Sequence, residues 1–314
     1  MLTVGVVHTG LLLNSSAVPT DAAASLLALL PGSSVQTRQR PVRYACSPEV
    51  LTGVDCLAPV AGRREVRLIG TPATRVALTD GHIVQAATHA TIQREPTGRR
   101  RPWAHYLAQP GVLEVLGTAS EENLAAGFLG PSTRGAALDL GAVSTRALAL
   151  IQRSTLLDHN PPFKSRRTQL RWAAETSTSH PELTFTLGAD GLRTVRLRTD
   201  QSDPHALADF CTDLALHDWL LSTLLDLVDR AMARTRPATE VVALLRPAVD
   251  HLVHTWMPAA HVDRALARLW QDFDHQWGFS SQWQKTVERI RDQLSMGIIE
   301  ALQSHSRTGR SELA

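Results

Sequence analysis

The sequence predicts an α+β protein, with a β-rich mixed first half (residues 1–202) packed on a helical bundle (203–306) and followed by a disordered tail (307–314). Three observations carry that expectation. Two segments alternate apolar and polar residues around Asp80-Gly81 and Asp190-Gly191, the pattern of antiparallel hairpins. From Asp203 onward apolar residues recur at helical spacing. That second half also holds five of the seven tryptophans, enough to bury a sizeable core at about 25 cal/mol per Å² of apolar area.

In chain order, "LTVGVVHTGLLL" reads as a first strand, and "PTDAAASLLALLPG" as a short helix entered at Thr20 or Asp21 and stopped by Pro31-Gly32. "REVRLIG" and "TRVALTDGHIVQAA" read as strands, the latter a hairpin with a two-residue Asp80-Gly81 turn that sets Val76, Leu78 and Ile83 on one buried face. A basic loop, "REPTGRRRPW", and helices near 120–129 and 140–157 follow. In "ELTFTLGADGLRTVRLR" the pattern selects the turn. A three-residue connection, Ala189 to Gly191, sets Phe185 against Val195 and Leu183 against Leu197. A two-residue turn would set Phe185 against Arg196, so burial of one apolar face favours three, with Gly191 left-handed.

Asp203-Pro204 is an N-cap followed by proline at the first helical position. A second helix is expected over about 240–257, capped by Thr239 and bent at Pro247, and a third over about 260–277, ended by Gly278. Ser280 or Ser281 would begin the last helix, whose stripe is Trp283, Val287, Ile290, Leu294 and Ile298.

Composition excludes several functions. Of 314 residues, 43% are apolar and 20% charged, as in globular proteins. Lys164 and Lys285 are the only lysines, and neither has the context that phosphate-loop NTPases, kinases or pyridoxal-phosphate enzymes require. Residues 1–203 carry 21 basic and 16 acidic side chains, residues 204–314 carry 11 and 14. That asymmetry is too weak to argue nucleic-acid binding and suits docking of the halves. Cys46, Cys56 and Cys211 match no zinc spacing and no disulfide framework. The first cation is Arg38, so the apolar start lacks the basic region of a secretory signal. No apolar run reaches the roughly 18–20 residues of a membrane span. A cytoplasmic protein without membrane association or cofactor is expected.

Within "CTDLALHDWLLSTLLDLVDRAM" the ionisable neighbours His217 and Asp218 fall on the core-facing stripe of a helix apolar nearly all round. Burying a polar group without a partner costs roughly 1–3 kcal/mol, so each needs one inside the fold. They either belong to a satisfied network or line a cleft between the halves. Successive helical side chains diverge by about 100°, which rules out a direct dyad. His251 and His254 sit on adjacent turns, near enough to share a metal, but opposite the apolar stripe and without the glutamate of a metallopeptidase helix. A solvated or interface face suits them better. His8 interrupts the first strand, and His105 lies beside Trp103 and Tyr106 after Arg99, Arg100 and Arg101. Those arginines with Trp103, and Arg166, Arg167 and Arg171 near Trp172, have the composition of a stacking and phosphate surface for single strands, and equally that of solvated loops. Gly-x-Ser-x-Gly, dinucleotide-binding and Cys-x-x-Cys motifs are absent.

The phrases "GVVHTGLLLNSSAVP", "LTGVDC", "HYLAQPGVLEVLG", "ALHDWLLSTLL" and "RIRDQL", in this order, resemble an uncharacterised actinobacterial family. Genes of that family cluster with those of a variant P-loop ATPase and a methyltransferase-like protein. The resemblance runs from the first strand to the last helix and carries over no catalytic residue. It implies a component working beside an NTPase. The leading expectation is therefore a non-catalytic adaptor or regulatory subunit that binds protein partners. The alternative is an enzyme with a polar site between the halves, drawing on His8, His105, His217 or Asp218; nucleic-acid binding comes third.

Overall fold

The computed structural model describes residues 1–62, 65–95, 97–130, 138–178, 180–233 and 237–311. The first half opens with strand β1 (Leu2–Leu11) and helix α1 (Thr20–Leu27). Three short strands come next, β2 (Gln36–Arg38), β3 (Tyr44–Cys46) and β4 (Val50–Leu51). Four longer strands follow, β5 (Val54–Ala58), β6 (Val66–Gly70), β7 (Ala73–Thr79) and β8 (Ile83–Arg94). Helix α2 (Trp103–Leu107) and strand β9 (Val112–Leu116) lead to α3 (Glu121–Leu129) and α4 (Leu140–Gln152). Ser120 and Asp139 cap these two helices through their side chains. Strands β10 (Thr168–Thr176), β11 (Glu182–Leu187) and β12 (Arg193–Thr199) complete the half. The second half is α5 (Pro204–Met232), α6 (Ala238–His251), α7 (Arg264–Trp277) and α8 (Phe279–Ser311).

All twelve strands join one sheet, in the order β11-β12-β10-β1-β8-β7-β3-β2, with β4 on β7 and a branch of β9, β6 and β5 from the far end of β8. Among the described residues only β10–β12 and β8–β9 run parallel. The alternation of β1 shows how the layers form. Leu2, Val4 and Val6 point to a core shared with α3 and the start of α4, while Val7 and Leu11 point to a core shared with α5 to α8. A third core packs the other face of β7 and β8 against α1 and α4. The protein is thus α+β as expected, with helices of the first half covering the sheet face opposite the bundle. Both faces of the central strands β1, β7 and β8 are covered, and this decides where sequence patterns mislead.

The second hairpin has the expected register. Phe185 pairs with Val195 and Leu183 with Leu197, the Gly188 amide donates to the Leu192 carbonyl, and Gly191 is left-handed at φ 81°. The first hairpin differs. Asp80 and Gly81 form the left-handed pair, at φ 51° and 72°, yet the ladder resumes at Thr79↔Ile83 with His82 inserted. Val76 and Leu78 therefore share a face with Val84 and Ala86, and Ile83 faces α5 instead. Because β7 and β8 are buried on both faces, alternation could not select the register. The tip is fixed from outside, by the Arg43 carbonyl on the Asp80 amide and by Leu12 and Val18 amides on the His82 and Gly81 carbonyls.

In the helical half Asp203 caps α5 through the His205 amide, and Gly278 ends α7 at φ 68°. Two expected starts are corrected. Residue Pro237, not Thr239, stands at the N-cap of α6, and that helix stops at His251 before a short 3₁₀ turn, Val253–Thr255. Helix α8 begins at Phe279, its Ser280 amide taken by the Asp274 carboxylate from the preceding helix. It runs on to Ser311, into the stretch expected as a tail. No helix among the described residues is long and apolar enough to cross a membrane.

At the centre of the sheet Gly5 pairs with Trp172, whose indole lies across it: a Cβ at Gly5 would stand 2.5 Å from the ring. Gly5→Ala is expected to cost about 1–3 kcal/mol through forced repacking, read as a lower urea midpoint at unchanged slope; an unchanged midpoint would refute this seating of Trp172.

Candidate functional site

Residues on the α5-facing side of β7 and β8 alternate small and polar: Ala73, Arg75, Ala77 and Thr79 on one strand, Gln85, Ala87 and His89 on the next. Alanine leaves room that leucine would fill. Between these strands, β3 and the first turns of α5 lies a narrow polar cleft of about 520 Å³, part of it open to solvent. Tyr44, Cys46, Arg75 and Gln85 line it from the sheet, Asp209, Thr212 and Asp213 from α5, and His261 from the segment before α7. An adjoining recess with the same Arg75 and Asp209 reaches His89.

Arg75 is the hub. Its guanidinium donates to Glu49 Oε1 at 2.9 Å and to His205 Nδ1 at 2.7 Å, and lies 3.5 Å from Asp209. Burial works against its charge, but the Glu49 and Asp209 carboxylates hold its pKa above the usual value. Burial pushes the Asp209 carboxyl up against the pull of Arg75, and the Cys46 thiol up as well, so Cys46 is no activated nucleophile. His89 is 3% exposed and held neutral, its pKa lowered to about 4 chiefly by burial. Neither ring nitrogen of His89 has a hydrogen-bond partner among the described residues; it meets only the edge of the His205 ring, at 5.5 Å. One ligand atom each of Glu49, His89 and His205 lies within 4.8 Å of the others.

The expected site residues are distributed elsewhere. Asp218 is paired across the halves, its carboxylate 2.6 Å from Arg193 Nε of β12, while Arg193 also reaches Ser222 and the Gly191 carbonyl. Burial still raises the Asp218 pKa. His217, 1% exposed, donates from Nδ1 to the Asp213 carbonyl at 2.7 Å and is packed between Trp256 and Trp270. Asp218 is thus satisfied across the halves, whereas the Nε2 of His217 is buried without a hydrogen-bond partner among the described residues. His8 lies on the other sheet face, bonded to the fully buried Ser144 of α4 at 2.7 Å and lowered to about 4 by burial and Arg167. His105 pairs with Glu114 at 2.6 Å, beside α2. These four do not come together, which corrects the expectation of a shared catalytic site.

His251 and His254 do not face each other around a metal either. His251 Nδ1 lies 3.1 Å from His82 Nε2, and His254 Nε2 lies 2.6 Å from the Asp80 carboxylate, so both dock α6 on the tip of the β7–β8 hairpin. Arg100 and Arg101 turn back to Asp55 and Glu95, and the Arg99 amide also donates to Glu95. Trp103 leans over Gly53 and against Tyr106. Arg171 donates to the Gly130 carbonyl, the Arg166 carbonyl accepts from Trp219, and Arg167 packs on Gly10. Trp172, 1% exposed, is sealed under α5 and offers no stacking platform beside them.

Glu49, Arg75, His89, His205 and Asp209 escaped the sequence reading. A signal existed in the small-and-polar alternation of "ATRVALT" and "QAATH", which marks a face that something must fill. No protein-family model, no curated protein and no solved structure matches the chain.

Two outcomes are expected in solution. Arg193→Met leaves the Asp218 carboxylate buried alone and costs about 3 kcal/mol near neutral pH; adding Asp218→Leu restores most of that in urea titrations, and additive losses would contradict the pairing. His8, His82 and His89 all have pKa values lowered to about 4, chiefly by burial. The unfolded chain therefore binds more protons than the folded one between pH 6.5 and about 4, and stability falls as pH falls through that window. His89→Asn should make the fall shallower; an identical slope would refute a neutral, buried His89.

Proposed function

We propose that the chain is a non-catalytic adaptor or regulatory component that binds a protein partner through the exposed apolar side chains in the second half of α8. The observation that supports this reading is the fate of the α8 stripe. Trp283 and Ile290 are buried in the common core, but Met296, Ile298 and Ile299 are 53%, 60% and 54% exposed around the buried Gly297. Three exposed large apolar side chains within four residues of a 33-residue helix, Met296 and Ile299 one turn apart on the same side, suit insertion into a partner's groove. Exposed Lys285, Arg289 and Arg291 outnumber Glu288 and Asp292 on the same helix, so the groove expected has an apolar floor and an acidic rim. The family resemblance nominates an NTPase encoded nearby as the first partner to test.

A second reading, ligand binding or catalysis at the seam of the halves, is favoured by the cleft around Arg75 and His89. It draws on different residues from those expected.

Co-expression with neighbouring gene products, followed by size-exclusion chromatography, should give a stable complex that Ile298→Glu/Ile299→Glu abolishes. The variant itself should melt within about 0.5 kcal/mol of the parent. Monomeric elution with every product, or a complex indifferent to the variant, would overturn the proposal.

A further inference from the structure

The seam cleft brings together one carboxylate and two imidazoles. We infer that Glu49, His89 and His205 form a binding site for a divalent transition-metal ion of the zinc class. The inference stands independently of partner binding and gives the second reading a ligand.

The donors come from three separate elements. Glu49 precedes β4, His89 lies in the middle of β8, and His205 sits in the first turn of α5. Two imidazoles and one carboxylate, with the fourth side facing a cleft, form the set that zinc takes where it keeps an open position. Donor atoms within 4.8 Å must close by about 1–1.5 Å to reach the separations set by bonds of about 2.0–2.2 Å. His205 is exposed and on a first turn, so it can make that movement.

His89 is the independent observation. This nearly buried imidazole lines the polar recess and makes no hydrogen bond among the described residues, so its ring nitrogens are open to a ligand that enters there.

The electrostatics agree. Glu49, Asp203 and Asp209 act on the cluster with negative charge, and Arg75 and Arg38 with positive, so with neutral histidines it has a net deficit of one cation. The Arg75 guanidinium now touches both Glu49 Oε1 and His205 Nδ1, two acceptors only 3.1 Å apart. A divalent ion placed there takes over both acceptors. Arg75 then moves towards Asp209, which is buried beside it with a raised pKa and only a 3.5 Å contact. Arg75 is thus a competitor for the site as well as its neighbour.

The test is calorimetric titration of the chelator-stripped full chain with Zn²⁺, with Co²⁺ absorption as a second readout of nitrogen and oxygen ligation. One equivalent is expected to bind saturably. His205→Ala, at an exposed position that folding tolerates, should weaken binding by roughly tenfold or more, and so should His89→Asn and Glu49→Gln. Arg75→Gln should tighten it, and His251→Asn/His254→Asn should leave it unchanged. No saturable binding, binding that survives loss of the three ligands, or binding that follows His251 and His254 would overturn the inference. The α8 variant should take up zinc normally, so failure here and failure of partner binding are separable.

Discussion

The seating of α5 on one face of the sheet is the constraint on which the rest of the structure depends. This helix is buried nearly all round, so its polar groups must find partners in whatever packs against it. The sheet supplies several of them. Gln85 donates to the Thr212 carbonyl, Arg193 pairs with Asp218, and the Trp219 indole donates to the Arg166 carbonyl. Each bond joins α5 to the first half, and Leu207, Phe210, Leu214 and Trp219 join the same apolar core as Val7, Trp172 and Val195. A polar group buried without such a partner is penalised more than a made bond is rewarded, so these contacts define one docking geometry.

The same seating produces the cleft. Where α5 crosses β1, β10 and β12 the sheet brings Val7, Leu170, Trp172, Val195 and Leu197 into the common apolar core. Where its first turns cross β7 and β8 the facing residues are alanines, Arg75, Gln85 and His89. Small side chains leave a gap, and polar ones make it wet. The cleft thus belongs to neither half, and anything bound in it touches both. This gives a physical route from ligand to bundle, because His205, Asp209 and Asp213 lie on the helix that carries the bundle's core.

Much of the fold was legible in the sequence because local rules agree with the tertiary structure. The three-residue turn at Gly191 followed from one apolar face, and Asp203-Pro204 and Gly278 act as the helix signals that they resemble. The Asp80-Gly81 hairpin slipped because both faces of β7 and β8 are buried, so alternation carries no information about register. Strand β10 was hidden by Arg171, which projects opposite Trp172, and by the two arginines just before the strand. Asp218 takes a tertiary partner, Arg193, whereas His217 bonds the Asp213 carbonyl of its own helix and packs on two tryptophans, its Nε2 left without a hydrogen bond among the described residues. The cleft residues were missed because Glu49, Arg75, His89 and His205 are scattered over about 150 positions of sequence. Only the sheet brings them together.

Because α5 fastens the two halves, they should unfold as one unit. Equilibrium urea denaturation followed at once by far-ultraviolet circular dichroism and by tryptophan fluorescence tests this most directly, since five of the seven tryptophans lie in the helical half. Coincident transitions with one midpoint are expected. A tryptophan transition completed before the sheet signal begins to fall would contradict this.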